Sequence, residues 1–203
     1  MNINEMISES KEVLLSPKTA FQKMADKANL WDGALYLAIG FLLYGLIQGI
    51  LIPLVTNQEL NAMMIIYLIV IGIIFTLFYT AIIWIFARLL GGNGRYDTQF
   101  RMISVPHAVI IVLNGILSLF LEILKPLRGV NQGAGAIPIL FDLIINILFI
   151  LIFVIVLLNS LYFIYLLVCA ISEAHKISKL RAFAAWLLGV IILVILVLLI
   201  YLL

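Results

Sequence analysis

The sequence predicts an all-α, polytopic membrane protein: five transmembrane helices preceded by a short amphipathic N-terminal helix. Composition is the first observation. Of 203 residues, 66% are apolar and 11% charged, and the mean hydropathy is +1.26. Soluble globular domains carry about 25% charged residues, so this chain cannot cover itself with polar surface and needs lipid as its solvent. The second observation is the run length of apolar residues, and the third is the placement of Lys and Arg.

The chain divides into a mixed, polar segment (1–33) and a membrane domain (34–203). The first segment has no apolar heart of a cleavable signal. Its stretch "SPKTAFQKMADKA" reads as a helix with Ser16 at the N-cap and Pro17 at the first helical position. Ala20, Phe21, Met24 and Ala28 fall on one face, with Lys18, Lys23 and Lys27 mostly off it. Such a helix either lies on the membrane surface, its lysines near anionic headgroups, or caps one end of the bundle.

Membrane helices need about 20 mainly apolar residues. Span one is read over 34–54, ended by Pro53, span two over 62–90, and span three over 103–124, with Pro106 starting or kinking it. The fourth run, 136–172, opens near Pro138 and is too long for one upright crossing. It is either one long helix or two short ones broken at Asn159-Ser160. Span five covers 182–203.

Basic residues favour five spans, because cytoplasmic loops collect Lys and Arg. With five, one side holds ten of them, from Lys11 to Arg181, and the other only Lys125 and Arg128. Splitting the fourth run makes the division seven against five. The N-terminus is therefore expected in the cytoplasm and the C-terminus outside or in a lumen, in a plasma membrane if the source is prokaryotic. Trp31, Trp84 and Trp186 all fall at the cytoplasmic interface of this topology, where indoles are enriched.

The polar stretch "GGNGRYDTQF" has three glycines, an arginine and an aspartate. No Gly-Lys-Ser/Thr follows, so it is not a phosphate loop. A helix stop fits: Gly91 or Gly92 takes the left-handed conformation, with Arg88 in the last turn. Asp97 is placed in a loop after Tyr96. No second intramembrane aspartyl motif accompanies it, so proton-sharing carboxylates are not available. Within the spans, Glu122 and Asp142 lie toward the far interface, where Lys125 and Arg128 can pair with them. Asn114, Asn146, Asn159, Thr76 and Thr80 lie deeper and are expected to bond to neighbouring helices. His107 and His175 lack cysteine neighbours, so no metal is expected. Cys169 packs as a small hydrophobe. No catalytic signature is present, no cofactor is implied, and a net charge of +2 gives no reason to expect nucleic acid.

Three stretches in order, "SPKTAFQKM", "ARLLGGNGRYDTQFRMISVPHA" and "ISEAHKISKLRAFAAWLL", resemble the Yip domain family, named for Ypt/Rab-interacting proteins. The resemblance covers nearly the whole chain. It implies a five-span protein with a cytoplasmic N-terminus, no catalytic residues, and, for eukaryotic members, adaptor roles with small GTPases and vesicle components. Those members carry a long N-terminal region, and the short one here is closer to the compact prokaryotic form. The expected function is therefore a non-enzymatic scaffold or adaptor whose partners are the lipid bilayer and membrane-protein or small-GTPase-like partners. Its expected surface is Gly91, Gly92, Gly94, Tyr96 and Asp97 with Glu173, His175 and Lys176. The alternative is a transporter or translocating protein for a small solute, ion or lipid, using Glu122, Asp142, Asn114 and Asn146.

Overall fold

The computed structural model describes residues 2–25, 29–127 and 136–202, with side chains left aside at 136–139. Apart from short turns, the described residues are helical. Two short helices, α1 (Ile3–Leu15) and α2 (Pro17–Ala25), precede α3 (Leu30–Leu46), a π-helical turn (Ile47–Leu51) and the brief α4 (Ile52–Thr56). Then come α5 (Ala62–Leu89), α6 (Tyr96–Leu124), a 3₁₀ turn (Lys125–Leu127), α7 (Ala136–His175) and α8 (Lys179–Leu202). With α3 and α4 counted as one stretch, five helices are long and apolar enough to cross a membrane.

The N-terminal segment holds two helices where the sequence reading has one. Asn2 caps α1: its side chain accepts from the Glu5 N–H while Glu5 reaches back to the Asn2 N–H. This reciprocal pair satisfies two orphan donors, and the Asn-x-x-Glu spacing is legible in the sequence. Ser16 joins the helices, its N–H closing α1 on the Glu12 carbonyl (2.7 Å) and its carbonyl opening α2 with the Ala20 N–H (3.0 Å). Ala20, Phe21 and Met24 are buried in the main core, where α2 packs against α7, α1 and α6. The apolar face of α2 thus packs on the bundle, as the capping alternative expects. Lys27 and Ala28 lie outside the described residues.

Pro53 does not end the first span, because the chain widens into a π turn just before it. Proline lacks an N–H and crowds the carbonyl four residues back, here that of Gly49. That carbonyl is turned outward instead and accepts from the Asn61 N–H across the α4–α5 turn (3.1 Å). Span three begins seven residues earlier than expected, at Tyr96, so Asp97 belongs to a first helical turn and not to a loop. Pro106 lies inside that helix. The fourth run is a single helix through Asn159-Ser160, since the Ser160 hydroxyl donates to the Val156 carbonyl of its own helix (2.9 Å) and Asn159 bonds sideways to α6.

Burial divides the molecule lengthwise. Thr98 to Pro106 on α6 and Leu166 to Ile171 on α7 are buried on every face. These segments lie at the end that carries α1, α2 and the α5–α6 and α7–α8 turns, called the charged end here. Toward the far end the helices expose Leu, Ile and Phe along most of their length. This accounts for the length of α7. A helix of 40 residues is ~60 Å long, twice a bilayer's ~30 Å core. Its last turns are wrapped by protein, and the remaining length is ample for one crossing.

Phe21 is fully buried, so Phe21→Ala is expected to cost about 3–5 kcal/mol, most of it from the seat of α2. Trypsin cleavage after Lys18 and Lys23 should accelerate while the five spans stay inserted. Unchanged cleavage would mean that α2 is held by lipid and not by α7.

Candidate functional site: a joint between two turns

The α5–α6 turn is built by its glycines. Gly91 has φ +90°, in the region that strains any residue with a Cβ. The Gly91 N–H donates to the Arg88 carbonyl (3.1 Å) and the Gly92 N–H to the Ala87 carbonyl (2.9 Å), which closes the end of α5. Gly94 is needed for a different reason. A Cβ there would stand 2.3 Å from the Ala174 carbonyl oxygen, so the turn presses its backbone onto the end of α7.

His175 fills the space between the two turns and is 1% exposed. Its carbonyl accepts from the Asn93 N–H (3.3 Å) and its Nδ1 from the Gly94 N–H (3.3 Å). With Nδ1 accepting, the proton belongs on Nε2, which donates to Gln99 Oε1 (2.5 Å), and this fixes the tautomer. Gln99 in turn donates to the Thr80 carbonyl (3.1 Å). The indole N–H of Trp84 donates to the Gly94 carbonyl (3.0 Å), and the Arg88 guanidinium lies 5.3 Å from the Trp84 ring centre.

The structure thus brings most of the expected surface residues to one place, with different orientations. Tyr96 is half-buried, its hydroxyl donating to the Leu77 carbonyl (2.8 Å). Asp97 is held by Arg95 (2.6 Å) and accepts from the Thr98 N–H (2.8 Å). Lys176 ends α7 in the left-handed conformation, at φ 56°, and stands 3.9 Å from Glu173. Arg88, Arg95, Lys176 and Arg181 are exposed around the joint.

A second brace holds α1, through a residue that the sequence reading counts only as one charge among ten. Arg101 is nearly buried and reaches Glu9 (2.8 Å) and Asp32 (3.7 Å). Tyr36 donates to the other Glu9 oxygen (2.5 Å). These groups open into a cleft of about 450 Å³ that also touches Glu5, Glu12 and Lys23. The signal available in sequence is an arginine one turn inside an apolar helix, which must find acid partners.

The intramembrane candidates are spread out. Asn114 and Asn159 pair across α6 and α7 (3.0 Å). Glu122 pairs with Lys125. Arg128 lies outside the described residues. Asp142 has a buried carboxylate oxygen with no partner among the described residues, and Asn146 is exposed. His107 packs edge-on to Tyr79 and Phe163, well away from His175. Among the described residues no group of three acids, histidines or cysteines could hold a metal.

The sequence model of the Yip1 domain matches residues 11–202. The chain belongs to the Yip1 domain family. The family resemblance read from three stretches therefore holds along the membrane domain, through all of α2 and over the last turn of α1. No curated protein and no solved structure matches the chain. Within this Yip1 domain, the Gly-Gly-x-Gly turn and the Glu-Ala-His segment form one interlocked unit.

Two substitutions separate the braces. His175→Leu leaves the Gly94 N–H and Gln99 buried without their partner, an expected loss of about 1–3 kcal/mol, read as a lower Tm in detergent. It should raise protease access at both turns together. Arg101→Met leaves Glu9 without its cation and should free α1 alone, with faster amide exchange over 3–15 and unchanged exchange over 91–97. Equal loosening of both regions in each variant would show that the braces are not independent.

Proposed function

We propose that this Yip1-domain protein is a non-enzymatic integral membrane scaffold or adaptor, with the joint and its rim as the surface that meets a partner. The observation that carries this reading is the rigidity of the joint. Two turns whose Gly94 and His175 are 81 residues apart are fixed as one surface by buried polar contacts. A rim of exposed Arg88, Arg95, Lys176 and Arg181 surrounds it. A preorganised surface loses little entropy on binding. The division of basic residues supports a cytoplasmic position for this end, with the C-terminus on the opposite side. The family suggests roles associated with small GTPases, so the partner class is a small-GTPase-like or other membrane-associated protein with an acidic face, with anionic headgroups as neighbours.

A photo-crosslinker tests this best at exposed positions. Placed at Arg95 and, separately, at Lys176 in native membranes, it should capture one discrete protein. With the probe at Lys176, Asp97→Ala, which releases Arg95 from its intramolecular partner, should change the yield severalfold. Recovery of lipid alone, or only of further copies of the same chain, would sink the adaptor reading. A second reading, transport or translocation of a small solute, ion or lipid, is favoured by the Asn114–Asn159 pair and by the buried oxygen of Asp142. It predicts flux in proteoliposomes that falls on Asn114→Leu.

A further inference from the structure

Toward the far end, α5, α6 and α7 separate around a crevice of about 370 Å³. Most of its wall is apolar, with Phe41, Phe75, Ile111 and Phe163 among the lining residues. Five polar side chains also line it: Tyr67, Asn114 and Ser160, which are exposed, and Thr76 and His107 deeper in, Thr76 donating to the Gly72 carbonyl (2.8 Å) and His107 Nδ1 without a partner among the described residues. Their depth is unusual. Asn114 lies ~15 Å along α6 from its far end, and Ser160 ~22 Å along α7 from His175. Both are well inside the hydrocarbon region of any bilayer that these helices span.

Polar groups exposed to hydrocarbon are costly unless partnered. Here the protein uses only part of their capacity. The Asn114 carbonyl accepts from Asn159 (3.0 Å), which leaves the two N–H groups of its amide without a partner among the described residues. The Ser160 hydroxyl gives its proton to the Val156 carbonyl (2.9 Å), which leaves its oxygen as an acceptor. The Tyr67 phenol can both give and accept. The crevice therefore offers donors and an acceptor together. No carboxylate, lysine or arginine is among its lining residues, so no permanent charge compensates a charged headgroup at this depth, and the imidazole of His107 would have to take up a proton in an apolar wall to do so.

We infer that this crevice binds an uncharged membrane lipid that carries both a hydroxyl and carbonyl groups, of the diacylglycerol kind. An ester carbonyl accepts from the Asn114 amide. The free hydroxyl donates to Ser160. The acyl chains run past Phe75, Ile111 and Phe163 and out through the open side. A phospholipid would bury its phosphate without a lysine or arginine beside it, and a quinone would leave the Ser160 acceptor unmet. The site does not depend on the adaptor reading, because it lies among the spanning helices and away from the joint.

The test uses the full chain in phosphatidylcholine nanodiscs containing a photoactivatable diacylglycerol. Labelling should be saturable, be displaced by unlabelled diacylglycerol, and map to peptides of α5, α6 and α7. Asn114→Leu removes the amide at similar size, and Ser160→Leu fills the crevice from an exposed position. Each should cut labelling about tenfold, the loss expected for a hydrogen bond of ~1.4 kcal/mol, with the Tm of the lipid-free protein retained. If Asn114→Leu fails to fold after losing Asn159, Ser160→Leu decides. Equal labelling by a photoactivatable phosphatidylcholine, displacement by a quinone better than by diacylglycerol, or full labelling of Ser160→Leu would each overturn the assignment.

Discussion

Backbone and side-chain polar groups buried inside the charged end depend on partners within the protein, and His175 supplies several of them at once. The segments around it are wrapped by other helices, so neither water nor lipid can satisfy them. One imidazole accepts from the Gly94 amide and gives to Gln99, and Gln99 passes the link to a carbonyl of α5. Two helical hairpins that share no chain connection at this point become a single body. The glycine identities follow from this closeness, since the backbone at 94 touches the end of α7 where a methyl group would stand. The indole of Trp84 is drawn into the same network through the Gly94 carbonyl, so its place near the interface is set by protein as much as by lipid.

The position of α1 and α2 depends on that rigid end. Arg101 stands on the part of α6 that the joint immobilises, and from there it reaches the acid of α1. An arginine is suited to this, because its fork can serve Glu9 and Asp32 at once while Tyr36 takes the remaining Glu9 oxygen. Phe21 and Met24 of α2 then cover α7 where it is too long to be wholly in lipid. The excess length of α7 and the presence of the N-terminal helices are thus one feature: the added turns are the surface on which those helices rest.

Much of this was legible in the sequence. The number of spans, their order and the end that gathers charge follow from apolar run length and the placement of Lys and Arg, because lipid admits few alternatives. The unbroken fourth helix follows from the same basic residues. Other features depend on contacts between distant residues and leave no local pattern. The sequence places His175 on the correct end but cannot tell that it faces inward, since a histidine one residue before a lysine turn reads as solvated. Tyr96 and Asp97 look like loop residues because Gly94 and Arg95 precede them, yet the helix starts there once Tyr96 has a carbonyl of α5 to bond. Pro53 reads as a stop, and only the amide of Asn61, across a turn, lets the helix pass it. The helix α1 was readable from Asn2 and Glu5, a spacing overlooked beside the stronger proline signal at residue 17.

The two ends of the molecule treat polar groups in opposite ways, and this separates their capacities. At the charged end, the polar groups around His175 and Arg101 are bound within the protein, which leaves a fixed shape with charges on its rim. A fixed shape suits recognition by a partner outside the membrane. Toward the far end the helices diverge, lipid supplies the packing that neighbouring helices do not, and Asn114 and Ser160 keep hydrogen-bonding capacity that the protein leaves unused. In a bilayer, association there would exchange one lipid for another against Phe75 and Ile111 and so cost little reorganisation. What selects the occupant is the unmet amide and hydroxyl oxygen.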